Sequence, residues 1–199
     1  MDMLRYVLAV CMVAGVPPGL GWWFVVHPFV EGWRRVGAGV TLTIVSILLL
    51  AAVVGLFQVR DLLLGPDLGL RWPLVGLGIV LIIASLYVQH QRRKHLTMKI
   101  LVGLPEVQAD AAKRGQLLTE GPYAIVRHPR YVEFVLGSFG YAAIANYLGA
   151  WIVALLALPL LHLVVLMEER ELTQRFGDEY REYLAQVPRY LPRRPEKDE

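Results

Sequence analysis

The sequence predicts an all-α integral membrane protein with about five transmembrane helices, the last two forming a tight C-terminal helical hairpin. Three observations carry that expectation. Of its 199 residues, 56% are hydrophobic and only 19% are charged, and the mean hydropathy of +0.47 is too high for an ordinary soluble domain of this length. Runs of about 20 apolar residues recur, each long enough to cross a hydrocarbon core ~30 Å thick. The formal charge of +3 matters less than its placement, which is concentrated in one basic segment between runs. The length suits one domain. It divides into three N-terminal helices in residues 1–90, a basic segment with a binding loop in 91–131, and a hairpin with an amphipathic tail in 132–199.

The first apolar run, residues 4–26, is interrupted by Pro17-Pro18-Gly19. Asp2 lies beside Arg5, no small-x-small cleavage site follows, and the run continues through Trp22-Trp23-Phe24. These features predict a retained membrane helix with a break rather than a secretory signal, its tryptophans in an interfacial belt. Residues 36–57 are uncharged throughout, with Arg34-Arg35 just before them. The third span, 73–88, opens on a proline in its first turn, where the missing amide is tolerated. Residues 132–148 are rich in small side chains (Gly137, Ser138, Gly140, Ala142, Ala143, Ala145), as close helix packing requires. Only Gly149 separates them from a fifth run, 150–167. Beyond Met167, Leu172, Phe176, Tyr180 and Leu184 recur every four residues, so the helix is expected to leave the bilayer amphipathically. Gly177 reads as its stop and Asp178 as the N-cap of a short final helix, ended by Pro188 and Pro192, with frayed residues after it. The lone Cys11 excludes an intrachain disulfide and reads as a small buried or lipid-facing side chain.

Residues 91–131 carry Arg92, Arg93, Lys94, Lys99, Lys113, Arg114, Arg127 and Arg130 against Glu106, Asp110 and Glu120. Apolar pieces such as 98–102 suggest that this segment folds against a membrane face. The loop between spans two and three balances Arg60 and Arg71 with Asp61 and Asp67. The positive-inside rule therefore places the N-terminus outside and the C-terminal tail in the cytoplasm. The loop 127–131 and Glu168-Glu169 then share the cytoplasmic face.

Within that segment, Gly121-Pro122-Tyr123-Ala124-Ile125-Val126-Arg127-His128-Pro129-Arg130-Tyr131 is poor helix and poor strand, yet dense in polar reach. Each proline biases its predecessor away from helix, so Gly121 and His128 are expected in turn or extended backbone. Arg127 offers a planar donor fork for a carboxylate or phosphate, and His128 can donate or accept near neutral pH. Anchoring of anionic headgroups explains the same residues equally well. Glu168 and Glu169 follow a membrane run directly. Two acids are disfavoured at a helix C-terminus, so the helix must continue or the acids must have a cationic partner. A solvated helix exit is the plain alternative to a pair that neutralises Arg127 or His128.

Together these motifs carry a resemblance. Gly121-Pro122-Tyr123, Arg127-His128-Pro129-x-Tyr131, Glu168-Glu169-x-x-Leu172, Phe176-Gly177-x-x-Tyr180-x-x-Tyr183 and Val187-Pro188 resemble the C-terminal half of isoprenylcysteine carboxyl methyltransferases, within a wider group of phospholipid methyltransferase-like membrane enzymes. The likeness covers residues 117–192. It implies an enzyme using S-adenosyl-L-methionine in a cytoplasmic cofactor pocket built by the loop and the last helices. By position, Tyr123, Arg127, His128, Tyr131 and Glu169 would bind the cofactor, Glu168 would complete the pocket as a catalytic group, and Asn146 would face the reacting centre. An interhelical hydrogen bond is an equal reading of Asn146. The family glycine two residues after the motif tyrosine is Glu133 here, which narrows the pocket or adds a polar contact. Residues 103–115 resemble an insertion.

Methyl transfer from a sulfonium is an in-line displacement in which alignment supplies most of the acceleration. A carboxylate acceptor needs no general base, whereas an amine would need one, for which Glu168 or Glu169 is the candidate. The expected partners are the lipid bilayer and a lipophilic methyl acceptor entering between helices: a prenylated cysteine carboxylate, a phospholipid-type amine or another lipophilic small molecule. The alternative is a non-enzymatic lipid-binding protein whose basic loop only anchors headgroups. The basic loop calls for no nucleic acid. The five scattered histidines give no metal-ligand set, and Gly76-Leu77-Gly78 opens no strand–loop–helix unit.

Overall fold

In the computed structural model the described residues are 1–26, 28–95 and 117–193, and among them the chain is α-helical with no strand. Residues 98–102, the insertion at 103–115 and the final residues from 194 lie outside that set. Helix α1 (Asp2–Val10) runs through a wide π turn, Cys11–Gly15, into α2 (Val16–Val26), so that Asp2–Val26 forms one membrane-length rod. The expected break at Pro17-Pro18-Gly19 is thus a widening one turn earlier. Each proline lacks an amide and crowds the carbonyl four residues before it, and the wide turn relieves that clash without ending the helix. Helix α3 (Val30–Val36) turns at Gly37 into α4 (Ala38–Gln58), and a short α5 (Arg60–Leu64) precedes α6 (Trp72–Arg93). After the basic segment come α7 (Pro122–Ile125), α8 (Pro129–Ala145), α9 (Leu148–Phe176) and α10 (Asp178–Gln186).

Four helical stretches among the described residues are long and apolar enough to cross a membrane: Asp2–Val26, Ala38–Gln58, Trp72–Arg93 and Leu148–Phe176. Their outer faces are apolar and bare, with Ile47, Leu50, Val80 and Ile83 each at least 60% exposed, as side chains solvated by lipid would be. Cys11 is on that outer surface. The expected fourth run, 132–148, is the 17-residue α8, shifted three residues earlier and about 25 Å long. Four apolar spans and this one shorter helix make up the expected set of about five. The short helix is covered by protein: Ser138, Gly140 and residues 142–145 are all buried.

Helix α8 packs antiparallel to α6 along its whole length. A Cβ on Gly78 would meet the Gly140 carbonyl at 2.7 Å, and one on Gly140 would meet Ile82 Cγ1 at 2.7 Å, so the two backbones touch there. At the other end the Ser85 hydroxyl donates to the Glu133 carbonyl (2.9 Å). The hairpin of α8 and α9 has the expected tightness, two residues joining the helices. Asn146 turns it in the left-handed region, at φ 51 and ψ 48. Pro159 lies inside α9 and removes one of its ladder hydrogen bonds. The four-residue spacing of the tail is borne out: Leu172, Phe176 and Leu184 pack with Leu117 on the buried Tyr180, Tyr183 and Val187. Asp178 is not the N-cap of α10. Gly177, at φ 60, both ends α9 and caps α10, because its positive φ turns the chain without a side-chain cap.

At the end of the bundle formed by the hairpin turn, Arg5 pairs with Asp67 and donates from Nε to the Ala145 carbonyl (3.1 Å). The Gly69 amide and Arg5 hold the Asp67 carboxyl below its usual range against the opposing effect of burial. A test of the helix packing follows from the glycine contacts. Gly140→Val should lower thermal stability in detergent by about 1–3 kcal/mol through overpacking. Gly76→Ala, where an added Cβ meets nothing within 4 Å, should be within about 0.5 kcal/mol of the parent. Equal melting of the two variants would contradict the backbone contact.

Candidate functional site

Two prolines shape the loop that reaches the end of α9. Gly121 takes φ 59 and ψ −127, and Pro122 opens the single turn of α7, a helical turn within a stretch whose composition favours none. His128 precedes Pro129 and is held out of the helical region at φ −123 and ψ 60, as the N-cap of α8. That backbone turns the imidazole inward, where it is only 4% exposed.

Five of the expected site residues converge here. Glu169 accepts from Arg127 Nε (3.2 Å) and Nη2 (3.0 Å), and lies 3.1 Å from His128 Nε2. Arg189, from the segment after α10, completes its shell with Nε at 3.0 Å from Oε1 and Nη2 at 2.6 Å from Oε2. Glu168 faces the other nitrogen, its Oε2 being 3.6 Å from His128 Nδ1, and it accepts from the Tyr131 hydroxyl at 2.7 Å. The imidazole thus bridges the two carboxylates, and its ring packs edge-on against Tyr131 with centroids 5.6 Å apart. Both answers to the acidic pair hold together: α9 continues for seven residues beyond Glu169, and Glu169 has cationic partners in Arg127 and Arg189.

Arg127 has a second task. Its Nη1 donates to the carbonyls of Leu184 (2.9 Å) and Val187 (2.7 Å), capping the last turn of α10. The backbones add to this clasp, the Arg127 amide donating to the Pro188 carbonyl (2.8 Å) and the His128 amide to the Arg189 carbonyl (3.2 Å). Tyr123 stands one step back. Its carbonyl accepts from the Tyr183 hydroxyl at 2.6 Å, and burial pushes its phenol up. Burial likewise pushes the Tyr183 phenol up to about 12, keeping it a donor at neutral pH.

Asn146 does not join the site. It lies at the far end of α8, about 25 Å along the axis from His128. There its Nδ2 donates to the Gly69 carbonyl (2.8 Å) and its Oδ1 accepts from Trp151 Nε1 (3.1 Å). A left-handed turn between two helices needs such an amide, and that accounts for the residue. Glu133, two residues after Tyr131, faces α6. It binds Arg92 Nε at 2.8 Å and Gln89 Nε2 at 2.9 Å, so its carboxylate adds a polar contact between helices instead of crowding the cluster.

Sequence reasoning missed Arg189 and Tyr180. Arg189 sits in a proline-flanked tail with no periodic signal, and only the spatial return of the tail brings it to Glu169. Tyr180 stands in the four-residue stripe and in the tail motif, neither of which marks it as part of the charged cluster. Its hydroxyl is buried with no hydrogen-bond partner among the described residues, and burial with the nearby Glu169 and Glu168 carboxylates pushes the phenol up.

Fold and cluster together define an α-helical membrane protein that gathers an imidazole, two guanidiniums and two carboxylates at one end of its spans. The chain belongs to the phospholipid methyltransferase family, whose model matches residues 74–179, a little over half of it. It is 38% identical over 82 residues to the cobalt-zinc-cadmium resistance protein CzcN of Cupriavidus metallidurans. It is 34% identical over 86 residues to protein-S-isoprenylcysteine O-methyltransferase of Schizosaccharomyces pombe, and 36% identical over 78 residues to protein-S-isoprenylcysteine O-methyltransferase B of Arabidopsis thaliana. These stretches cover 41%, 41% and 39% of this chain and 38%, 36% and 40% of the three relatives, so the chain spans about two fifths of the length of the curated relatives it matches. No solved structure matches it. The isoprenylcysteine methyltransferase-like character read from the motifs is borne out at the level of family.

The geometry separates the two acids. Glu169→Gln strips the counter-charge from two guanidiniums and should cost about 3–5 kcal/mol. Glu168→Gln keeps a hydrogen-bond acceptor for Tyr131 and should cost at most about 1.5 kcal/mol. Thermal unfolding of both variants in detergent checks the order, and the reverse order would refute it.

Proposed function

We propose that this chain is a membrane-embedded methyltransferase that uses S-adenosyl-L-methionine to methylate a lipophilic acceptor, with its N-terminus outside and its tail in the cytoplasm. The observation that carries the reading is the His128–Glu168–Tyr131 contact. It sits at the end of a membrane span and within the stretch matched by the phospholipid methyltransferase family. Arg34 and Glu171, 3.5 Å apart, put the basic pair before the second span at the same end as the cluster. That arrangement supports the cytoplasmic assignment through the positive-inside rule.

The donor set suits the cofactor. S-Adenosyl-L-methionine supplies a methyl group activated on a sulfonium and carries an ammonium and a carboxylate for recognition. Glu168 uses Oε2 for Tyr131 and His128, and its Oε1 has no bond among the described residues, leaving an anionic oxygen for a cationic group. The unpartnered Tyr180 hydroxyl beside the acids is a further polar group awaiting a partner. Glu169, in contrast, is consumed by Arg127, Arg189 and His128. Its part is to hold the loop and the tail in place, while Glu168, Tyr131 and His128 face the reactants.

Little general chemistry is required of the protein. Holding the nucleophile in line is worth several orders of magnitude in rate. A carboxylate acceptor arrives ionised, whereas an amine acceptor would pass its proton to Glu168. The named relatives are two methyltransferases of prenylated cysteine and a metal-resistance protein, so the similarity favours no single acceptor.

The test is a calorimetric titration of the detergent-purified protein with S-adenosylhomocysteine. The parent should bind saturably, and His128→Ala and Glu168→Gln, both folded, should bind at least about tenfold more weakly, as loss of one charge-assisted hydrogen bond predicts. Absence of binding by folded protein, in nanodiscs as well as detergent, would reject the cofactor and favour a lipid-binding role.

A further inference from the structure

Every buried or half-buried arginine among the described residues, with one exception, has a carboxylate within 4.0 Å, from Arg5 on Asp67 to Arg189 on Glu169. The exception is Arg130, half-buried in the first turn of α8. Its side chain has neither ion pair nor hydrogen bond among those residues. It lies instead over the Trp23 ring, Cζ 4.2 Å from the centroid. An indole face attracts a guanidinium without taking its hydrogen bonds, so the planar fork of N–H donors stays open.

The surroundings lack the anion that this fork would hold. Helix α8 has no acid in its first turn, and the positive end of its dipole disfavours a cation there unless an anion comes with it. Trp23 is buried in the last turn of α2, at the end of the first membrane-length rod. That is the depth at which tryptophan meets headgroups. The anion at hand there is a lipid phosphate, which an arginine fork can hold through two N–H groups. Tyr131 and His128, on either side in sequence, turn to the acids of α9, whereas Arg130 turns to the first span. An apolar cavity of about 330 Å³ between α8 and α9, lined by Tyr131 and Tyr190 and, at an aliphatic end, by Leu136 and Leu158, includes neither Arg130 nor Trp23.

We propose that Arg130, on its Trp23 platform, binds the phosphate of an anionic phospholipid, which joins the end of α2 to the start of α8 beside the charged cluster. Such a lipid is not a reactant, and the site stands whether or not the chain transfers methyl groups.

The test is native mass spectrometry of the full chain released from detergent, with phosphatidylglycerol or phosphatidylcholine added. The parent should hold one phosphatidylglycerol at least about fivefold more tightly than phosphatidylcholine, the gain one interfacial cation gives. Arg130→Gln should bring that ratio close to one. Arg130→Lys, which keeps the charge and loses the fork, should recover only part of it. Arg35→Gln, an exposed basic position at the same end, should leave it unchanged. An unchanged ratio in Arg130→Gln, an equal loss in Arg35→Gln or full recovery by lysine reduces the preference to general surface charge and overturns the proposal. Inorganic phosphate in excess should not displace the lipid; displacement would make this a site for soluble phosphate and reject the lipid. Titration with S-adenosylhomocysteine in lipid-free detergent reads the two proposals apart. Arg130→Gln should bind it as the parent does. Loss of that affinity in the variant would assign the guanidinium to the cofactor's carboxylate and sink the lipid site. Lipid selectivity in a parent that binds no S-adenosylhomocysteine would sink the methyltransferase reading alone.

Discussion

Glu169 is the charge on which the arrangement turns. One carboxylate, 11% exposed, receives Arg127 from the loop, Arg189 from the tail and His128 from the cap of α8. Three segments far apart in sequence thereby meet at one atom pair. The desolvation of these ionised groups is offset by further contacts, Arg127 donating also to the carbonyls of Leu184 and Val187. Remove that carboxylate and two guanidiniums repel each other in a poorly hydrated corner. The loop then loses its ionic tie to the tail and keeps only the hydrogen bonds to the carbonyls of residues 184 and 187–189, and Glu168 loses the fixed imidazole that orients it.

The remaining architecture presents that corner to the membrane surface. Close contact at Gly78 and Gly140 fixes α6 against α8, and the Arg92–Glu133 pair locks the same two helices at the cluster end. The apolar first and second spans supply surface for lipid and close the bundle behind. Glu133 therefore serves as an interhelical tie through Arg92 and Gln89.

Much of this was legible in the residues, and the reasons differ by feature. The spans were readable because a membrane helix must be apolar for about 20 consecutive residues, a signal no loop can imitate. The prolines after Gly121 and His128 announced a non-helical loop. The acids after Met167 announced a need for cations. What stayed hidden was long-range: Arg189 gives no local sign of reaching Glu169, and Asn146 looks catalytic in a string of small residues until the turn it stabilises is seen. The proline pair in the first span suggested a break because sequence shows the lost amides but not the wide turn that absorbs the clash.

Pro159 gives α9 a mechanical character. Downstream of it the helix is fastened by Glu168 and Glu169 to the loop and tail; upstream it is fastened by the hairpin turn. The missing ladder bond sits between, one residue from Leu158 at the aliphatic end of the cavity. The helix is thus a beam held at both ends with its compliant point beside the opening. The gap to α8 can widen or narrow by bending there while the charged end stays still.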